Sequence, residues 1–280
     1  MKNFLLIVCA FFAFALCARI VSTEDADFRG HVQGIAADET GIYCSFSREL
    51  LKVDFAGKTL LRCPSPFHSG DVTTDGEKIY VSVSISDETL VPKYGAKCCI
   101  FIYDRNCKLL EVKPFKNLRG IDGIAFINGR FYIGLNYLGA RLRTENKIAI
   151  MDHNFNLLKI ATVTIGKNTK FGPQTLNNFR GKLIAGFYGG GKNSFIYDLE
   201  ELNNSDTVVK PIGAFPENTT VGFSLVPAKI AKDETFIVAR NRRQFNEKAK
   251  RFRFGIRFHF RPAPPDEKIY RSFSTPTPGK

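Results

Sequence analysis

The chain holds four histidines, and two of them open look-alike segments: His31 begins "HVQGIAAD" and His68 begins "HSGDVTTD". Gln33 and Asp71 stand within the same segments. Neutral imidazoles, a carboxylate and a side-chain amide around one axis are groups that hold a divalent metal or trade a proton with a substrate. His31 and His68 are therefore candidate metal ligands and, with Asp71, candidate catalytic residues; one divalent metal is the candidate cofactor. A plainer role is equally open, in which both rings cap loop carbonyls. A second kind of chemistry lies in "RFRFGIRFHFR", residues 251–261. Arg251, Arg253, Arg257, His259 and Arg261 alternate there with Phe252, Phe254, Ile256, Phe258 and Phe260, so a strand would show one cationic and one apolar face. Arginine suits forked contacts with carboxylate, sulfate or phosphate. A cationic edge strand can also simply block edge-to-edge pairing.

These residues belong to a repeat that must position them. First strands read "HVQGIAAD", "HSGDVTTD", "GIDGIAFI", "GPQTLNNF" and "VGFSLVP"; second strands read "GIYCSFS", "KIYVSVS", "RFYIGLN", "KLIAGFY" and "TFIVARN". One column of the second strands is always small: Ser45, Ser82, Gly134, Gly186, Ala239. Third strands end in Asp54, Asp104, Asp152 and Asp198, and fourth strands follow a tight turn ("KTLLRC", "KLLEVKPF", "NLLKIATV", "VVKPIGAF"). Units start near 31, 68, 120, 172 and 221. Four short antiparallel strands at this period predict an all-β fold, a β-propeller of five blades, with six as the alternative. The fifth unit lacks an evident fourth strand, which "ARIVSTEDADF" or "EKIYRSFST" could supply. The expected division is a propeller domain over 19–266 and a closing strand or tail over 267–280.

The "GIA…D…IY" rhythm resembles NHL-repeat and gluconolactonase-like propellers, over nearly all of the chain after its leader. That resemblance implies the fold. It does not carry over calcium or lactone chemistry, because the acidic ligands a gluconolactonase would need are not recognisable here. The "H-x-Q-G" and "H-x-G-D" starts also resemble secreted bacterial propellers.

In an antiparallel meander the start of strand one and the end of strand two share an end of the blade. The expected rim therefore gathers His31, Gln33, His68, Asp71, Asp122 and Gln174 from first strands, and Asn136, Tyr188, Arg240 and Asn241 from second strands. Three long loops, "ISDETLVPKYGAK", "YLGARLRTEN" and "RRQFNEKAK", would rise on the same face, the last bringing Arg242 and Arg243. "GFYGGGKNS" reads as a turn rather than a phosphate loop, because no helical pattern follows it.

"MKNFLLIVCAFFAFALCA" (1–18) reads as a signal peptide, and no later segment is apolar enough to span a bilayer. The mature protein is expected outside the cytoplasm: extracellular, or periplasmic in a bacterium. Cys44, Cys63, Cys98, Cys99 and Cys107 remain, an odd number, so one or two structural disulfides and a left-over thiol are expected. Asn203-Asn204-Ser205 and Asn218-Thr219-Thr220 are glycan acceptor sequences. The net charge is +13, and residues 240–261 hold nine Lys or Arg against Glu247 alone. So local an excess draws a polyanion; secretion favours an acidic or sulfated glycan over nucleic acid. Three functions follow: a propeller that binds such an anion at Gln33, Asp122, Asn136, Gln174, Tyr188, Arg240, Asn241, Arg242 and Arg243; a lyase or hydrolase centred on His31 and His68; or a matrix scaffold.

Overall fold

A computed structural model gives the structure over residues 19–25, 27–65, 68–85, 91–136, 142–188, 193–231, 233–246 and 251–270, with backbone alone at 244–246 and 251–253. The expected leader, the tail 271–280, the glycine turn at 189–192 and parts of the three long loops (86–90, 137–141, 247–250) lie outside the described residues.

The alternating segments form strands that pair with their chain neighbours. β2 (Val32–Asp38), β3 (Gly41–Phe46), β4 (Glu49–Val53) and β5 (Thr59–Pro64) make one antiparallel sheet. β6 (Ser69–Thr74), β7 (Lys78–Ser84), β8 (Cys98–Asp104) and β9 (Leu109–Phe115) make a second. A seven-stranded sheet runs through β10 (Ile121–Ile127), β11 (Arg130–Leu135), β12 (Arg143–Met151), β13 (Leu157–Phe179), β14 (Lys182–Tyr188), β15 (Ser194–Tyr197) and β16 (Gly213–Ala214). The last sheet has the order β1 (Arg19–Ser22), β19 (Arg251–Pro262), β18 (Thr235–Asn246), β17 (Phe223–Leu225). Helices α1 (Val91–Tyr94), α2 (Leu199–Asn204) and α3 (Asp266–Tyr270) are short.

The aspartates that end third strands have a common cause. Asp54 Oδ1 accepts from the N–H groups of Ala56 and Lys58, Asp104 Oδ1 from Asn106 and Lys108, and Asp152 Oδ1 from Asn154 and Asn156. Each carboxylate closes the turn into the next strand. Asp198 instead caps α2, accepting from Glu200 and Glu201 N–H. That helix takes up chain where a tight turn was expected, so "VVKPIGAF" contributes only the two-residue β16 and a bridge from Val209 to Val163. The small column has a cause too. A Cβ on Gly134 would sit 2.6 Å from the Pro173 carbonyl oxygen, because the next inner strand crosses there.

Other departures concern length. "NLLKIATV" and "GPQTLNNF" are one strand, β13, which pairs with β12 up to Thr169 and with β14 from Lys170. The chain bends inside it through positive φ at Gly166, Phe171 and Gly172 rather than through a loop. Arg242 to Asn246, expected in a loop, extend β18 and pair with β19 as far as Asn246 opposite Arg251. β19 keeps its alternation of aromatic and cationic residues along this stretch, and its backbone pairs with β18 throughout. Arg143 to Asn146 likewise belong to β12. β1 pairs with β19, Arg19 opposite Phe260 through Ser22 opposite Arg257, so the N-terminal segment completes the last sheet. From the C-terminal segment, Asp266–Tyr270 forms α3 and buries Ile269.

Buried apolar clusters alternate with the sheets. One joins Ile35, Phe46 and Val53 to Ile237, Ile256 and Phe258; another joins Phe179 and Phe215 to Phe223, Phe236 and Val238. The innermost strands β2, β6, β10, β13 and β17 touch in succession, and β17 returns to β2. The starts of these strands therefore face one axis.

Candidate functional site

The mouth of that axis is built around Asp122. It sits two residues into β10, 5% exposed. Gln174 Nε2, from β13, donates to its Oδ2 at 3.1 Å, and Asn136 Nδ2, just after β11, donates to the same oxygen. Gln174 is itself oriented by the Phe171 and Gly172 carbonyls at 3.3 and 3.4 Å. Burial pushes the Asp122 carboxyl up to about 7, and the Gln174 and Asn136 donors restrain the rise. A carboxyl held there exchanges its proton near neutral pH, which suits a general acid or base. Tyr188, at the end of β14, is 40% exposed and packs edge-on against Phe171 with ring centroids 5.9 Å apart. Burial and then the Asp122 charge raise its phenol.

Asp71 is not at this rim. It is fully buried on β6, and its Oδ2 accepts from the main-chain N–H of Leu176 at 2.8 Å and of Ile124 at 3.2 Å. Those donors come from β13 and β10, so one carboxyl ties three inner strands together. The Ile124 bond coincides with a register shift between Ile121 and Ile124, where the β10–β11 ladder is broken. Asp71 Oδ1 lacks a hydrogen-bond partner among the described residues and lies against Gly34, where an added Cβ would be 2.0 Å away. Burial raises Asp71 well above the usual carboxylate range, Asp122 adds to the rise, and main-chain donors oppose it. Among the described residues Asp71 is closed off from solvent, away from the rim where it was expected. Its position in "HSGD" signalled polarity but not depth.

His31 and His68 do come near each other. His31 lies exposed just before β2, its Nε2 3.0 Å from Gln33 Nε2. His68 is half-buried with φ +66°. Desolvation lowers both imidazoles, and the neighbouring His68 lowers His31 further. Two imidazoles are short of the three or four protein ligands a divalent metal usually takes. Among the described residues no group of three or more His, Cys, Asp or Glu side chains is placed to hold a metal. The set does not fit a closed metal centre.

The basic strand has a different neighbourhood. In the β18–β19–β1 register, Arg240 lies opposite Arg257, Val238 opposite His259 and Phe236 opposite Arg261, all on one sheet face. The inner part of that face, Phe236 and Val238, packs against Phe179, Phe215 and Phe223. The outer part is charged. Arg240 Nη1 donates to the Asn218 carbonyl at 2.6 Å, and its Nη2 lies 3.4 Å from Glu217. Burial lowers the His259 imidazole, and Arg240, Arg261 and Arg257 lower it further, with Glu217 opposing. Among the described residues Arg257 and Arg261 form no ion pair, so Glu217 is the acid facing three arginines and a histidine. Sequence reasoning placed Arg257, His259 and Arg261 on one face but did not find Glu217 or the facing residues, which lie on a separate stretch of chain.

The other rim candidates scatter. Asn241 Oδ1 accepts from Val32 N–H at 3.0 Å and so anchors the start of β2. Arg242 Nη1 donates to the Thr23 carbonyl at 3.2 Å. Arg243 points to the opposite face, 5.8 Å over the Phe254 ring. The five cysteines are free thiols, so the expected bridges are not formed in this structure.

No family model and no curated protein matches the chain. Solved structures do. The chain is similar to glutaminyl cyclase of Myxococcus xanthus, at 12% identity and TM-score 0.53 over 87% of this chain and 99% of that one. It is similar to the GH43_1 enzyme of Xanthomonas citri complexed with xylose, at 11% and 0.52 over 92% and 94%. It is also similar to XC5397 of Xanthomonas campestris, a gluconolactonase, at 12% and 0.50 over 90% and 92%. These are β-propeller proteins. The chain is thus an all-β protein of propeller fold. The likeness is of fold alone, and no particular propeller family is marked by it.

Proposed function

We propose that this chain is an exported five-bladed propeller that binds an anionic ligand, an acidic or sulfated glycan, on the sheet face that carries Arg240, Arg257, His259 and Arg261. In this reading β13 serves two blades and β1 closes the fifth. The observation that carries it is the charge balance of that face, one carboxylate against three guanidinium groups. A sulfate or carboxylate would supply the missing counter-charge through forked hydrogen bonds. Burial and Arg261 already lower the Arg240 guanidinium against the pull of Glu217, so an anion there relieves an existing cost. The test is titration of the purified protein with heparin, a sulfated glycan, and with neutral dextran, at low and high salt. Saturable heparin binding that falls with salt and is lost in an Arg257→Ala/Arg261→Ala double variant supports the reading. Equal binding of dextran, or binding untouched by the double variant, rejects it.

The enzyme reading has one observation in its favour: Asp122, held near pH 7 beside Gln174 and Asn136. In that reading Asp122 takes the acid–base role first sought in Asp71, with His31 and His68 nearby, and the substrate is a uronic-acid glycan. Turnover of such a glycan that follows the Asp122 titration and disappears in Asp122→Asn would select it over binding alone.

A further inference from the structure

The chain carries 26 Phe and 9 Tyr. Among those whose side chains are described, Tyr188 alone is exposed, at 40%. A single exposed ring is ordinary by itself; its neighbours make this one informative. Phe171 meets it at 76°, with ring centroids 5.9 Å apart. Phe171 is half-buried and holds φ +68°, a conformation that bulky side chains seldom take. It stands at the bend where β13 leaves β12 for β14. Lys170, opposite Tyr188 in the β13–β14 ladder, carries its ammonium 5.0 Å from the centre of the Phe171 ring. Lys170 is exposed and forms no ion pair among the described residues.

This corner joins directly to the amides around Asp122. The Phe171 carbonyl accepts from Gln174 Nε2 at 3.3 Å, and the same Nε2 donates to Asp122 Oδ2 at 3.1 Å. Asn136, which also donates to that oxygen, is half-buried. One side of the mouth thus offers two aromatic rings meeting at a corner, an ammonium, two amides and a carboxyl in one run of contacts. That combination selects among ligands. A purely apolar ligand would leave the ammonium and the amides unmatched. A bare inorganic anion would make no use of the rings. A pyranose has C–H groups on one face that lie against an aromatic ring, and hydroxyls around its edge that bond to amides and carboxyls. In a uronic acid it adds one carboxylate for an ammonium.

We propose that Tyr188, Phe171 and Lys170 form a binding subsite for one uronic-acid residue of a glycan, Tyr188 receiving the C–H face of the sugar ring and Lys170 its carboxylate. The subsite rests on the reading in which Asp122 acts on a uronic-acid glycan, but it requires binding alone. It shares no residue with the arginine face of β18 and β19.

The experiment follows methyl β-D-glucuronide and methyl β-D-glucoside by saturation-transfer NMR on the purified protein. The wild type is expected to bind the glucuronide several-fold more tightly, with saturation strongest on the C–H protons of one ring face. Tyr188→Ala should weaken the glucuronide by about fivefold or more, and Tyr188→Phe, which keeps the ring, should restore most of that loss. Lys170→Ala should remove the preference for the glucuronide, and Lys170→Arg should retain it. Circular dichroism checks that each variant remains folded. Absence of saturation transfer to the glucuronide, or equal affinities for the two glycosides in the wild type, overturns the proposal. So does glucuronide binding that survives Tyr188→Ala but is lost in Arg257→Ala/Arg261→Ala, which would place the sugar on the arginine face. Glucuronide binding that depends on Tyr188, in a wild type that turns over no uronic-acid glycan, would retire the catalytic role of Asp122 and leave the subsite standing.

Discussion

The inner strands and the outer face of β18 and β19 gather polar side chains by opposite means. Along the inner strands two carboxyls meet donors from the protein: Asp71 takes main-chain N–H groups on one oxygen, and Asp122 takes two side-chain amides. On the outer face the charges outnumber their partners, and Glu217 answers several cations. A satisfied carboxyl holds strands together. An unsatisfied group of cations holds free energy that a ligand can release. Burial alone does not mark function, since the most buried acid among the described residues is the one that looks structural.

Changes that break this contrast rank by size. Asp71→Ala should be the most damaging, because it strands the N–H groups of Ile124 and Leu176 inside the ring at about 1–3 kcal/mol each. Urea unfolding should show the loss directly, and a loss under 1 kcal/mol would refute the strand-tying role. Next comes the pH dependence of stability. A carboxyl raised in the folded state keeps protons that the unfolded chain has already released. Asp122 therefore makes the fold less stable as pH rises from about 4 to about 7, with no further change beyond. Asp71 adds loss of the same sign. In Asp122→Asn the part of that slope owed to Asp122 should vanish; an unchanged slope would assign it elsewhere.

On the cationic face, Arg257→Ala/Arg261→Ala should leave unfolding nearly unchanged while weakening heparin at low salt by roughly tenfold or more, the loss of charge-assisted hydrogen bonds in a half-exposed site. The same variant should raise the His259 pKa toward its ordinary value, followed by NMR titration of the ring, because two of the charges that depress it are gone. The smallest effect is expected for His31→Ala. An exposed ring bonded to Gln33 should cost no more than about 0.5 kcal/mol in stability. Its effect on turnover of a uronic glycan separates the two functional readings.

Much of the repeat was legible because its signals are local. Strand alternation and the Asp that closes a turn are set by backbone geometry within a few residues, while the small column recurs because the same inner-strand crossing recurs in each repeat. Errors arose where a local signal had two tertiary outcomes. "RRQFNEK" looked like a polar loop, yet its first part continues a ladder because β19 lies alongside. Asp198 looked like another turn residue, yet it caps a helix. Cysteines after an expected export leader suggested bridges, yet pairing depends on which Cβ vectors meet, and that is not a property of spacing.

For the site, the sequence by itself determined the inventory: His31, Gln33, His68, Asp122, Gln174 and Asn136 at corresponding ends of repeated strands, and a cationic face along residues 251–261. Only the tertiary structure decided depth and partners. It drew Asp71 inside, brought Asn136 and Gln174 onto one carboxyl, and set Glu217 as the acid opposite the arginines. The reason is physical. Which face a side chain takes follows from the chain's own period, whereas desolvation and charge balance depend on what other strands bring to the same few ångströms.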